Sequence, residues 1–199
     1  MRCVLVHQIA FLAIVAVIFP ASAGGDEKKD ANVFPPVMRG VEHQVLESLV
    51  GTWDAKVTFY LDPKKPIEST GVMKRKMILG GNFLQESFQG EFIGKKFAGL
   101  AIIGYDANKK KYVTNWCDSM STSMALTQGS YDADKKTITS LGEEYDSNTK
   151  KNMKVRDVLK IISGDEQLLE MFRQPEGEPA EYKIMKVVYT RKKEEKKKG

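Results

Sequence analysis

Two acids, one cation and two aromatic rings are the residues of this chain whose types and spacing could do chemistry. Trp116 and Asp118 stand two apart in Asn115-Trp116-Cys117-Asp118-Ser119-Met120-Ser121, so in a strand they share a side with Tyr112 and Thr114. An indole beside a carboxylate on an inward face makes a pocket with an apolar wall and one polar anchor. Glu86, between Leu84 and Phe88, is a second candidate inward acid, and Arg75, between Met73 and Met77, could neutralise either one. Tyr105 adds a second ring. Were both acids to share a dry cavity, one would hold its proton more tightly and general acid–base work would become possible. The plainer alternative is that Asp118 caps the Ser119–Ser123 turn while Glu86 faces water.

Other chemistries lack their parts. Beyond His7 in the leader, His43 is the single histidine, with Glu47 one helical turn later, and the two read as a surface pair. A histidine zinc site needs a second histidine or enough cysteines. A nucleophilic serine needs a base. Gly80-Gly81 lies between two strand patterns and precedes no helix, so it reads as a tight hairpin and not as a phosphate loop. No metal and no cofactor are expected.

These residues must be positioned by one helix and a series of strands. Met38, Val41, Val45, Leu46 and Leu49 recur at spacings of three and four, which predicts a helix from about Met38 to Val50. Gly51 suits its C-cap. Trp53, Ala55, Val57, Phe59 and Leu61 then alternate, as in a strand with one buried side. Turn signals follow at short, even intervals, and no second helical period appears. Three of them, Tyr105 to Lys110, Tyr131 to Lys136 and Tyr145 to Lys151, share a Tyr-Asp opening and a Lys-Lys close. They lack the glycine and the oxygen ligands of a calcium loop.

Met153, Val155, Asp157, Leu159 and Ile161 alternate with Lys154, Arg156, Val158 and Lys160, and Met185, Val187 and Tyr189 form a similar set. The segment from Phe97 to Tyr105 is apolar on both faces, which places it under the helix or against a second subunit, so a homodimer is open. About ten strands with one wet face are expected to close, since closure removes both sheet edges. The fold class is therefore all-β: an antiparallel up-and-down barrel of about ten strands, with one N-terminal helix closing an end.

Val4 to Phe19 is an apolar run behind Arg2 and ahead of Ala21-Ser22-Ala23, the pattern of a secretory signal peptide over residues 1–23. The run is too short and too polar at His7 and Gln8 to be a membrane span. Residues 24–37 read as a linker, 38–191 as the barrel and 192–199 as a charged, disordered tail. The chain is expected to be exported, periplasmic or secreted. Cys117 is then the one remaining cysteine, and burial is expected for it. The net charge of +5 is lodged in Arg2 and in the stretch from Arg191 to Lys198, leaving the body formally neutral. A nucleic-acid partner is not indicated.

Gly51-Thr52-Trp53 and Arg191 resemble the lipocalin (calycin) signature, in which a tryptophan plugs the closed end and an arginine lies across it. That resemblance implies a structural plug made of Trp53 and Arg191. More of the chain resembles a bacterial exported family catalogued as a domain of unknown function. The motifs are Glu42-His43 through Trp53, Leu79 to Leu84, Gly104-Tyr105-Asp106, Trp116 to Ser121 and Tyr189-Thr190-Arg191. It implies a lipocalin-like barrel and no established activity. A haem-binding branch of the superfamily uses a histidine near the barrel end, and no histidine follows His43. The preferred expectation is an exported protein binding a small, apolar ligand, with Trp116, Asp118, Tyr105, Glu86 and Arg75 at the site. The alternatives are an acid–base enzyme using Asp118 and Glu86, and a filled-barrel interaction domain that dimerises.

Overall fold

The computed structural model describes residues 39–147 and 149–193. The expected signal peptide and linker, and the tail beyond 193, lie outside the described residues. Helix α1 (Val41–Ser48) precedes ten strands: β1 (Gly51–Phe59), β2 (Ile67–Ile78), β3 (Phe83–Phe92), β4 (Lys95–Asp106), β5 (Lys111–Asp118), β6 (Ala125–Asp132), β7 (Thr137–Asp146), β8 (Lys151–Ile161), β9 (Glu166–Pro175) and β10 (Tyr182–Arg191). Each strand is antiparallel to the next in sequence, and β10 pairs with β1, so the wall is closed. It is an all-β, ten-strand up-and-down barrel with one short N-terminal helix.

The period-two pattern does the folding work. In β1, Trp53, Ala55 and Val57 are buried while Asp54 and Lys56 face water. Cross-strand register carries that inward set around the wall: Trp53 opposes Met73, Met73 opposes Phe88, Phe88 opposes Gly99 and Gly99 opposes Asp118. The repeated turns close as their sequences suggest. Asp106 and Asp132 accept backbone N–H groups from Lys109 and Lys135 at 3.1 and 3.0 Å. One lysine of each closing pair, Lys110, Lys136 and Lys150, takes the left-handed conformation that ends such a hairpin.

One end is sealed by α1. Leu46 and Leu49 are fully buried against Leu84, Tyr112 and Ile138. The sealing face differs from the expected stripe. Val41 is 68% exposed and His43 is buried, so the inward face runs through His43, Leu46 and Leu49. The first turn overhangs the rim, and His43 Nδ1 accepts the Gly40 N–H at 3.2 Å. The expected His43–Glu47 pair is replaced by Arg39 and Glu47 at 3.2 Å.

Gly51 is also not the helix cap. Leu49 holds that place; Gly51 opens β1 with φ 142°, and a Cβ there would also overlap the Arg191 guanidinium. That guanidinium lies 4.1 Å from the Trp53 ring centroid and donates to Val50 O at 2.9 Å and to Gly164 O at 2.8 Å. The Trp53 indole N–H donates to Leu49 O at 3.0 Å. Trp53 therefore joins the helix exit, the first strand and the last.

Strand β4 keeps its two apolar faces. Ile103 packs under the helix cluster, while Leu100 lies outside the barrel, opposite Cys117. Replacing Trp53 by Ala removes the indole, its hydrogen bond and the surface beneath Arg191. We expect a loss of about 3–5 kcal/mol of unfolding free energy in a denaturant titration; a change below about 1 kcal/mol would show that the plug is dispensable.

Candidate functional site

Register decides which side chains enter the lumen. Because Gly99, Ala101 and Ile103 on β4 oppose Asp118, Trp116 and Thr114 on β5, all three β5 side chains point inward. They sit toward the end opposite α1, where the rim is formed by the β5–β6 turn and the other loops at that end. Trp116 donates its indole N–H to Asp118 Oδ2 at 3.1 Å, and Asp118 Oδ1 accepts the Met120 backbone N–H at 2.9 Å. The turn-capping alternative thus describes one carboxylate oxygen, and the other is taken by the Trp116 ring. A Cβ at Gly99 would overlap the Trp116 ring, so that glycine makes room for the indole to lie along the wall.

Glu86 and Arg75 are also inward, deeper toward the helix. Arg75 Nε donates to Glu86 Oε1 at 2.6 Å, and its Nη1 donates to Gln167 Oε1 at 2.7 Å. The guanidinium carbon lies 4.6 Å from the Tyr189 ring centroid. Complete burial pushes the Tyr189 hydroxyl up to about 12, against the pull of Arg75. A buried, bonded pair of opposite charges satisfies itself.

The expected site therefore divides in two. Trp116 and Asp118 stand near the open rim, while Arg75 and Glu86 form a neutral layer below. The structure does not bring the two acids together. Tyr105 leaves the set altogether. It lies beneath α1, with ring centroids 5.2 Å from Tyr112 and 6.4 Å from His43, because Tyr105 opposes Tyr112 at the sealed end of the β4–β5 ladder. Cys117 corrects another expectation. As the neighbour of two inward residues it faces outward, half-buried, with its thiol 3.8 Å from Leu100 O.

Sequence reasoning missed a third polar group. Arg173 Nε donates to Glu144 Oε1 at 2.7 Å and its Nη1 to Asp157 Oδ1 at 2.9 Å, all three on the inward faces of β9, β7 and β8. Asp157 had a signal: it is the one acid in the apolar set Met153, Val155, Leu159 and Ile161. Arg173 and Gln167 had none, since adjacent apolar residues at Leu168-Leu169 and Met171-Phe172 hide the alternation of β9. Burial raises the Asp157 carboxyl above the ordinary range, with Arg173 opposing.

Inward residues of the open half remain partly exposed despite facing the interior: Phe59, Phe97, Thr114, Trp116, Asp157, Met171 and Met185. Two shallow surface depressions lie elsewhere, beside Ile67, Ser69 and Glu91 and beside Lys135, Lys136 and Lys160, and neither gathers the inward groups. Among the described residues, no group of three or more His, Cys, Asp or Glu is placed to hold a metal ion. The arrangement sets an aromatic ring and a carboxylate near the open rim above a floor sealed by α1.

A family model described as "Protein of unknown function (DUF1579)" matches residues 39–191. No curated protein matches the chain. Among solved structures, the S-type phycobiliprotein lyase CPES from Guillardia theta aligns at 10% identity over 79% of this chain and 95% of its own, with a TM-score of 0.55. Rv2717c from M. tuberculosis aligns at 16% identity over 75% and 96%, with a TM-score of 0.56. At those identities the likeness is one of fold, a lipocalin-like barrel.

The raised Asp157 carboxyl sets a pH dependence of known sign. The folded state holds this proton more tightly than the unfolded chain, so its contribution is greatest below the ordinary aspartate range and is lost as pH rises through the raised value. In guanidinium titrations from acid to neutral pH, the stability of the native chain minus that of Asp157→Asn should therefore fall with increasing pH. A flat or rising difference contradicts the assignment.

Proposed function

The chain belongs to the DUF1579 family of proteins of unknown function, and from that premise we propose that it is a small-molecule binding protein whose ligand enters the barrel at the end opposite α1. The supporting observation is the partial exposure of inward side chains in a closed wall, with Trp116 and Asp118 at the rim. An occupant of that half would meet Phe59, Phe97, Met171 and Met185, an apolar lining with few polar anchors, which suits a small and largely apolar molecule. Export, to the periplasm or beyond the cell, is part of the same proposal and rests on the leader sequence.

The acid–base alternative is weakened by the separation of its parts. Glu86 is closed on Arg75, and Asp118 is bonded to Trp116 and to the Met120 backbone. No shared proton site follows from those contacts. A different observation favours the interaction reading. The outer faces of β4 to β7 expose Leu100 (39%), Leu126 (59%) and Leu141 (57%). Light scattering at micromolar concentration separates the two: a strict monomer removes the dimer, and a dimer with an unoccupied lumen removes the carrier.

Native mass spectrometry of the purified protein, paired with solvent extraction, is expected to reveal a co-purifying small molecule. N-phenyl-1-naphthylamine, a neutral apolar fluorophore, should quench Trp116 emission, since that indole lines the proposed entrance while Trp53 is sealed. Trp116→Ala should weaken its binding by roughly ten-fold, in keeping with loss of one buried aromatic contact. Unchanged affinity in Trp116→Ala would place any binding elsewhere.

A further inference from the structure

One polar atom in the interior has no partner. Gln167 is fully buried on the inward face of β9, opposite Tyr189 on β10 and Ile161 on β8, and its Nε2 finds no hydrogen-bond partner. Turning the amide over does not resolve this. Arg75 only donates, so the atom 2.7 Å from its Nη1 has to be the amide oxygen, and the N–H pair must point away. A buried donor left unmatched carries the full cost of its lost hydration, and native interiors match nearly all such groups.

From this we propose that Gln167 Nε2 is the polar anchor of the barrel's ligand, and that the ligand carries a neutral hydrogen-bond acceptor: a ketone, ester, ether or hydroxyl oxygen on an apolar body. The inference rests on the reading of the lumen as a small-molecule site and names the chemistry that site takes. Three features set the class. The orphan is a donor, so its partner accepts. The adjacent Arg75 is already neutralised by Glu86, so a carboxylate head would bring an uncompensated charge into the layer beside Glu86. Above the layer, Met73, Phe88, Val57 and Val187 form a buried apolar cluster, so the body of a molecule placed there would meet only apolar side chains. Arg75 is thus a positioning residue: by holding Oε1 it aims the N–H pair. Because the donor is fully enclosed, an occupant reaches it only by displacing part of that buried cluster.

The test uses two fluorescent probes of equal ring size, the ketone 6-propionyl-2-(dimethylamino)naphthalene and 2-(dimethylamino)naphthalene, which lacks the carbonyl. The full chain should bind the ketone at least ten-fold more tightly, with the emission shift that marks a hydrogen-bonded carbonyl. Gln167→Glu keeps an acceptor for Arg75 and removes the donor; Gln167→Met removes the donor and keeps the length. In each variant that shows a native circular dichroism spectrum and a cooperative denaturant transition, the preference should fall below about three-fold. Equal binding of both probes by the native chain, as when a buried water satisfies Gln167, overturns this proposal and leaves the lumen reading standing. A ketone preference that survives both substitutions also overturns it. Binding of neither probe overturns the lumen reading and this inference with it.

Discussion

The Arg191 guanidinium, 4.1 Å above the Trp53 ring, is the contact on which the closed wall depends. Its intrinsic strength is modest, of the order of 0.5–2 kcal/mol for a cation over an indole. Its importance lies in what it joins. Trp53 reaches the helix exit through Leu49 O, and Arg191 reaches Val50 on one side and Gly164 in the β8–β9 turn on the other. Strands β1 and β10 are the first and last of the sheet, so their seam is the pairing with the longest loop to close. A planar cation clamped between two backbone carbonyls fixes that seam where the entropic cost is greatest. Gly51 is part of the same device, because any side chain there would displace the guanidinium.

From that seam the rest of the interior follows by register. The helix end of the ten-strand wall is filled by Leu46, Leu49, Leu84 and Tyr112. The inward charges are bonded to one another, one pair and one group of three. Arg75 with Glu86 lies deep, and Arg173 with Glu144 and Asp157 lies nearer the mouth. Such pairs add little net stability over well-packed apolar residues, since desolvation offsets their attraction.

Much of the architecture was legible because strand burial has a period of two and turns have their own chemistry. The Asp-to-Lys turns, the Trp53 plug and the closure of the wall all rest on local patterns of a few residues. The site was legible only in part. Trp116 and Asp118 lie two apart on one strand, and that spacing survives folding. Tyr105 is seven residues from Tyr112 across a hairpin whose turn sits at the helix end, so it was carried away from Trp116 by strand direction, a property that alternation does not encode. His43 failed for another reason. The helix stripe was drawn through Val41, but the first turn overhangs the rim, and the barrel receives only the face through Leu46 and Leu49. Gln167 and Arg173 were hidden by paired apolar residues on a strand whose outer face packs Phe172 under Arg156.

The same alternation that hides Gln167 explains why its position is informative. An outward glutamine would meet water and pose no question. Placed inward by its pairing with Tyr189, it meets Arg75, which satisfies the oxygen and thereby commits the nitrogen to face away from the guanidinium. An apolar residue of similar length would avoid the orphan but would strip Arg75 of an acceptor; a glutamate would satisfy Arg75 but add a second negative charge next to Glu86. Glutamine is thus the side chain that serves the arginine without charge, at the cost of one unmatched donor. A neutral acceptor oxygen is the chemical group that removes this cost and leaves the charge balance of the layer unchanged.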